Sequence, residues 1–369
     1  MLWQLTRPDM EKEGGKIWRS NNDLGYVIWG GRVLSIQSHV AFGYVGGKAA
    51  VLPLQCLGYD VDVVNSVNFS NHSGYGRFGG SRATAEELSK IFELMDQNGL
   101  LSSERLLTGQ IPAGYIPGAE ALSAVKDLAV KLRQKNADLI YLLDHTIPVY
   151  RDALRYATII TPNWFEVEVL TDVRILDLAS LRRALQVLHE QYNVPNVVIS
   201  SIPLRPWLAD ALPAPMRPHT PSSDLDFLVC MSSSRGDEGA QRAVHARCIP
   251  CLPGYFSGVG DLFSALVLGH FKPAHAPSQD GTETPLSYAA SQALSKTHAM
   301  LTLTHEHALT LPEEDRLPTD EELDVREPER KIRRMRGREL RLVQGQGIIR
   351  GEETIEYRQM LPWTTFWDA

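Results

Sequence analysis

The sequence predicts an α/β fold with a mainly parallel central sheet and helices on both faces, and three observations carry that expectation. Short apolar runs of strand length alternate with segments whose apolar residues recur at helical spacing. Glycine-rich or polar loops separate them. The composition, 369 residues of which 43% are hydrophobic, suits a globular chain with a sizeable core.

Taken in order, residues 32–37 read as a short buried strand running into Gly43, Gly46 and Gly47, followed by an apolar helix over 49–57. Residues 59–65 alternate Val61 and Val63 with Asp60 and Asp62, the period of a half-exposed strand, and residues 68–80 form a polar loop. Thr84 and Glu87 spell a capping box; Leu88, Ile91, Phe92 and Met95 give that helix one face, and Asn98-Gly99 stops it. Leu106 and Leu107 begin a strand, and Leu122, Val125, Leu128 and Leu132 repeat as a helix. Residues 139–143 are an apolar strand ending in Asp144. Strand 157–160, a helix marked by Leu181, Leu185 and Leu188, and strand 197–199 continue the alternation. Asp144, Thr161, Ser200 and Ser201 then stand at carboxyl ends of strands, where such sheets bind ligands. Residues 203–224 are Pro-rich and read as an exposed loop before a strand over 226–231. A helix spans 286–309, and the polar, proline-interrupted stretch 312–329 reads as a linker or tail.

The formal net charge of −7 gives no electrostatic footprint for nucleic acid, and the basic run from Lys331 to Arg336 follows an acidic stretch as a solvated mixed-charge segment. No apolar run is long enough to span a bilayer, and residues 1–31 lack the pattern of a signal peptide. The expectation is an intracellular protein, cytoplasmic or both cytoplasmic and nuclear, without membrane or nucleic-acid partners. Four cysteines are too few for a disulfide scaffold, and Cys248-Ile249-Pro250-Cys251 has no second ligand pair to make a zinc site.

Gly258-Val259-Gly260-Asp261, directly before the apolar run 262–268, carries the chemistry. The first turn of a helix has amides without intrahelical partners and the positive end of the macrodipole. Glycines let those amides close around a phosphate, and Asp261 is placed to take a proton from an attacking hydroxyl. On these residues alone, a glycine turn with an Asp cap opening a buried helix remains the alternative.

The blocks Arg32 to Val40 with Gly43-Tyr44-Val45-Gly46, Val64 to Tyr75, Ile160-Thr161-Pro162-Asn163-Trp164-Phe165-Glu166, and Gly258 to Phe263 together resemble the pyridoxal kinase family of the ribokinase-like superfamily. The resemblance covers roughly residues 32–271, and residues 334–344 look like the fungal members. It implies the three-layer ribokinase-like fold; residues 32–310 are then the kinase domain, residues 1–31 an N-terminal extension that matches nothing in the family, and 311–369, by composition, a polar mixed-charge tail. It also implies ATP-dependent phosphorylation of pyridoxal, pyridoxine and pyridoxamine at the 5′-hydroxymethyl group, and a homodimer. Asp261 would be the base, and the amides of Gly258, Val259 and Gly260 would stabilise the transferred phosphoryl group. Ser38 and Ser73 would bond the substituents of the vitamer ring, with Val45 and Val67 against its faces and Tyr115, or else Gln110, covering it. Asn163 would serve ATP, and Glu166 would hold its Mg²⁺ through water. Asp144 and Thr161 would lie near the phosphates and a monovalent cation such as K⁺. Ser200 and Ser201 would contact the nucleotide phosphates.

Two departures from the family pattern stand out. His145-Thr146-Ile147 joins Asp144 directly to Pro148, so that roughly a dozen residues of the family's usual loop, including a second acid, have no counterpart. Val259 replaces the usual threonine of the glycine motif. A weakly active or inactive homologue that binds vitamer and nucleotide, or a related hydroxymethylpyrimidine kinase, is therefore the alternative.

Overall fold

The computed structural model describes residues 31–109, 119–144, 151–218, 226–236, 242–274, 282–316 and 320–368. Its strands are β1 (Arg32–Val40), β2 (Asp60–Phe69), β3 (Gly80–Arg82), β4 (Arg105–Thr108), β5 (Ile140–Leu143), β6 (Ile159–Ile160), β7 (Asn196–Pro203), β8 (Phe227–Ser234), β9 (Ala243–Pro250) and β10 (Leu361–Pro362). They form one sheet in the order β10-β9-β8-β7-β6-β5-β4-β1-β2-β3. The run from β2 through β1, β4, β5 and β6 to β7 is parallel, and the pairs at both margins are antiparallel. The expected mainly parallel sheet is therefore present.

The parallel strands are apolar at successive positions because both faces are covered. Val33, Leu107, Ile140, Leu142, Ile159 and Val198 face one core, whereas Leu34, Ile36, Leu106, Tyr141, Leu143, Ile160, Val197 and Ile199 face the other. The first core is closed by α1 (Gly47–Cys56), α8 (Val259–His270) and α9 (Pro285–Leu309). The second lies under α2 (Ala85–Gln97), α3 (Ala119–Lys135), α5 (Trp164–Thr171) and α6 (Leu178–Gln186). A short α4 (Arg151–Leu154) precedes β6. The Thr84/Glu87 capping box forms as the sequence predicts, and Gly99 beyond the helix end has φ +69°.

Three expectations are corrected. β2 continues to Phe69, where a loop was expected from residue 68, because its last residues pair with β3 in a hairpin. The Pro-rich stretch 203–224 is not simply an exposed loop: it forms α7 (Pro206–Ala211) and buries Leu208, Leu212 and Met216. The C-terminal segment is not a solvated tail. It folds as α10 (Glu321–Arg326), α11 (Pro328–Arg336), α12 (Gln346–Arg350) and β10. Leu340, Leu342, Ile349 and Met360 join the first core, and Trp363 and Phe366 join the second.

Buried ion pairs join α10 to α11. Asp324 accepts from Arg330 at 2.7 Å and also from Arg334, with all three side chains buried. Removing the carboxylate would leave two buried guanidinium groups without it, a change of the kind that costs several kcal/mol.

Candidate active site

The chain leaves β1 to the β2 side and returns to β4 on the other, so the order reverses between β1 and β4. Ligands of open α/β sheets bind at the carboxyl ends of strands beside such a reversal. Ser38 lies at that end of β1, opposite Val67 of β2, just past a register shift between Gln37 and Ser38. Such an irregularity re-aims the side chains that follow it. Val40, Val67 and Phe69 form a small separate apolar cluster, with Val45 packed against it.

The loop after β1 and the start of α8 approach as backbones. Gly258, at the N-cap of α8, has φ +78°, and a Cβ there would lie 2.0 Å from the Tyr44 carbonyl oxygen. Gly46, at φ +55°, has the same constraint against Ser38, whose carbonyl oxygen and Oγ would each be 2.3 Å from its Cβ. This close approach lets the Gly46 amide donate to Asp261 Oδ2 at 2.8 Å. Asp261 is 6% exposed, in the first turn of α8, with the helix-end amides of Val259 and Gly260 immediately before it.

A cavity of about 790 Å³ opens over this junction. Ser38, Val45, Val67 and Ser73 line it together with Gly258, Val259, Gly260 and Asp261. Of the residues predicted for the vitamer, Ser38, Val45, Val67 and Ser73 thus share one space with those predicted for proton transfer. Val40, Phe69 and His72 complete the wall on the sheet side, and Val325, Lys331, Arg334 and Met335 supply a further wall from α10 and α11. The sequence reading missed this second wall. Its available signal was the pair Ile332 and Met335 on an otherwise cationic helix, preceded by Pro328, a good first helical residue.

The residues predicted for the nucleotide lie along the neighbouring strand ends. Asp144 follows β5 and Thr161 follows β6; both are buried, and Thr161 Oγ1 donates to Asp144 Oδ1 at 2.9 Å. Thr161 also meets Ser264 of α8 at 2.9 Å, which ties this pair to the helix that carries Asp261. Asn163 and Glu166 cap α5 reciprocally: Asn163 Oδ1 accepts the Glu166 amide at 3.0 Å, and Glu166 Oε2 accepts the Asn163 amide at 2.8 Å. Ser200 and Ser201 occupy the register shift of β7, where the Ser200 amide donates to the Pro162 carbonyl at 2.9 Å. None of these six residues borders the cavity. Gln110, Tyr115 and the junction 145–150 lie outside the described residues.

Among the described residues no group of three or more His, Cys, Asp or Glu side chains stands ready to hold a metal. Cys248 and Cys251 are both free thiols, and burial pushes Cys248 up to about 11. No helix among the described residues is long and apolar enough to cross a membrane.

A sheet reversal facing a glycine-lined helix end with an adjacent acid suits phosphoryl transfer, and a mostly parallel sheet between two helical layers is what the ribokinase-like class predicts. No family model matches the chain. Pyridoxal kinase from Sus scrofa is 33% identical over 328 residues, covering 82% of this chain and 92% of that protein. The Arabidopsis thaliana enzyme is 36% identical over 253 residues, 65% of this chain and 74% of that one. The structure of pyridoxal kinase from Leishmania donovani with ADP and pyridoxamine matches with a TM-score of 0.68 at 28% identity, covering 90% of this chain and 99% of that one. The chain belongs to the pyridoxal kinase family.

Proposed function

We propose that the protein transfers the γ-phosphoryl group of ATP to the 5′-hydroxymethyl group of pyridoxal, pyridoxine and pyridoxamine. The observation that carries this reading is the single cavity that brings Ser38, Val45, Val67 and Ser73 to Asp261 and the Gly258–Gly260 amides. A flat ring with polar edges needs apolar faces and a few placed hydroxyls. Val45 and Val67, with Val40 and Phe69, offer the faces, and Ser38 and Ser73 the hydroxyls.

Asp261 takes the proton of the 5′-hydroxyl as its oxygen bonds to the γ-phosphorus, and the bond from that phosphorus to the β,γ-bridging oxygen breaks to release ADP. Negative charge grows on the phosphoryl oxygens, and the amides of Gly258, Val259 and Gly260 at the cavity wall would stabilise it. Mg²⁺ enters as part of the nucleotide substrate. Such an ion is suited by one or two carboxylates, retained water and the phosphates themselves. Glu166, whose carboxylate is held by its bond to the Asn163 amide, is the carboxylate that would serve it through water. Asp144 with Thr161 would hold a monovalent cation, Asn163 would contact ATP, and Ser200 and Ser201 would meet its phosphates. Family membership supports extending the reading to a homodimer in the cytoplasm.

The test is turnover of purified protein with Mg²⁺-ATP and K⁺ on each vitamer. Formation of the 5′-phosphates is the expected result. If none forms while calorimetry shows pyridoxal binding, the protein is a binding homologue and the kinase reading falls. Preference for a hydroxymethylpyrimidine in direct competition would reassign the substrate.

A further inference from the structure

Two of the segments that line the vitamer cavity, the 43–46 loop and the 72–75 turn, are fastened to one side chain from the far end of the chain. Glu339 Oε2 accepts the Tyr44 amide at 2.8 Å, and its Oε1 accepts the Tyr75 hydroxyl at 2.8 Å. Oε1 also faces His72 Nε2 at 3.3 Å. The Gly74 amide donates to His72 Nδ1 at 3.1 Å, which places the ring proton on Nε2, pointing at Glu339. Gly43, with φ +92°, admits the carboxylate, since a Cβ there would sit 2.6 Å from Oε1. The Glu339 side chain is 12% exposed and the His72 ring 11%, so water competes little for these bonds.

We infer that Glu339 is a positioning residue of the vitamer pocket, holding the 43–46 loop and the 72–75 turn at a fixed separation across the substrate. The inference rests on the proposed function for the identity of the ligand. Tyr44 precedes Val45 and Gly46, and the Gly46 amide is bound by Asp261, so the first loop is fixed at two points. Ser73 and Gly74, which line the cavity, lie between the two residues that Glu339 holds in the second segment. No partner in this network belongs to the Asp144, Thr161 and Ser264 cluster on the nucleotide side. Loss of the carboxylate should therefore loosen the vitamer site and leave the nucleotide site intact.

The test uses the full chain with Glu339→Gln and Tyr75→Phe. The glutamine keeps the volume but offers an amino group where one of the three donors now finds an oxygen. Pyridoxal affinity by calorimetry should fall about tenfold or more in Glu339→Gln, and less in Tyr75→Phe, with ATP affinity within about twofold of wild type. In the double variant the losses should fall short of additive, because both substitutions act on one network. Unchanged pyridoxal affinity in both variants would overturn the inference. So would equal weakening of pyridoxal and ATP accompanied by a lower melting temperature in both, which is the signature of a purely structural residue. Because the readout is binding, absence of turnover in the wild type would defeat the kinase reading without deciding this one.

Discussion

Asp261→Asn separates the base from the scaffold. In the wild type Oδ2 accepts the Gly46 amide at 2.8 Å from a side chain that is 6% exposed. The asparagine oxygen can accept the same amide in the same volume, so the loop keeps its anchor and only basicity is lost. Replacing a charge-assisted bond by a neutral one costs about 1 kcal/mol, a shift of a few degrees at most in melting temperature for a chain of this size. A positioned general base contributes about 10²–10⁴ in rate, equivalent to about 3–5 kcal/mol of barrier. The kinetic effect should therefore exceed the stability effect several-fold. Initial rates of ADP release with saturating pyridoxal, read beside a thermal melt, make the comparison. The expected outcome is kcat lower by at least about 10², with a near-native melt and little change in the KM for ATP. If kcat stays within about threefold of wild type while the KM for pyridoxal rises, Asp261 binds the vitamer without acting as its base, and the mechanism above is refuted. Asp261→Ala supplies the contrast, since it also removes the acceptor for the Gly46 amide and should weaken pyridoxal binding as well.

Gly258→Ala should lower kcat/KM by about 10² and also reduce stability, because the left-handed φ and the 2.0 Å approach to the Tyr44 carbonyl both oppose a side chain; wild-type-like kinetics would show that the two backbones need not meet. Phe366→Ala should destabilise the whole protein by about 3–5 kcal/mol in urea unfolding, since the ring is fully buried, whereas a solvated tail would give a change within about 0.5 kcal/mol. His189 is buried between the Val194 carbonyl at Nδ1 and Ser233 Oγ at Nε2, and burial lowers its pKa to about 4. The unfolded chain then binds the extra proton first, so this stabilisation is full above about pH 6.5 and is lost as pH falls toward 4, on the order of 3 kcal/mol in all. The stability difference between wild type and His189→Gln should shrink over that window, and a difference independent of pH would contradict the assignment.

What the sequence revealed and what it hid divide by the range of the interaction. The strands β1, β4, β5 and β7 are legible because a strand buried on both faces must be apolar at successive positions. The Thr84/Glu87 and Asn163/Glu166 pairs are both local hydrogen-bonded boxes spanning one turn, so their spacing is visible in the sequence. β9 and the hairpin strand β3 were not recognised; their pairing comes from neighbours rather than from a pattern of their own. In the C-terminal segment, Leu340, Leu342, Ile349, Met360 and Phe366 are scattered among polar residues without a sustained period. Their burial follows from contact with elements far earlier in the chain, which a local window does not contain. Glu339 is the extreme case, since it stands 295 residues from the Tyr44 amide that it holds. The glycine motif was legible as a helix end, but its bond to Gly46 required the fold to bring two backbones together.

That bond and the one at Ser264 join α8 to both the 43–46 loop and the Asp144/Thr161 pair, the two sides proposed for the two substrates. Asp261 and Ser264 are three residues apart and share a helix face. The first touches the vitamer loop through the Gly46 amide, and the second touches the nucleotide-side pair through Thr161. On the proposed assignments, changes confined to the 43–46 loop or to Glu339 should therefore act on the vitamer side, and changes at Asp144 or Thr161 on the nucleotide side. A displacement of α8 should act on both, because under the proposed mechanism its first turn holds the proton acceptor and the amides for the phosphoryl group within one rigid unit. The buried core beneath Leu262, Leu266 and α9 fixes that unit against the sheet. Coupling between pyridoxal and ATP affinities should accordingly be largest for substitutions that shift this helix, and smallest for those that loosen one loop.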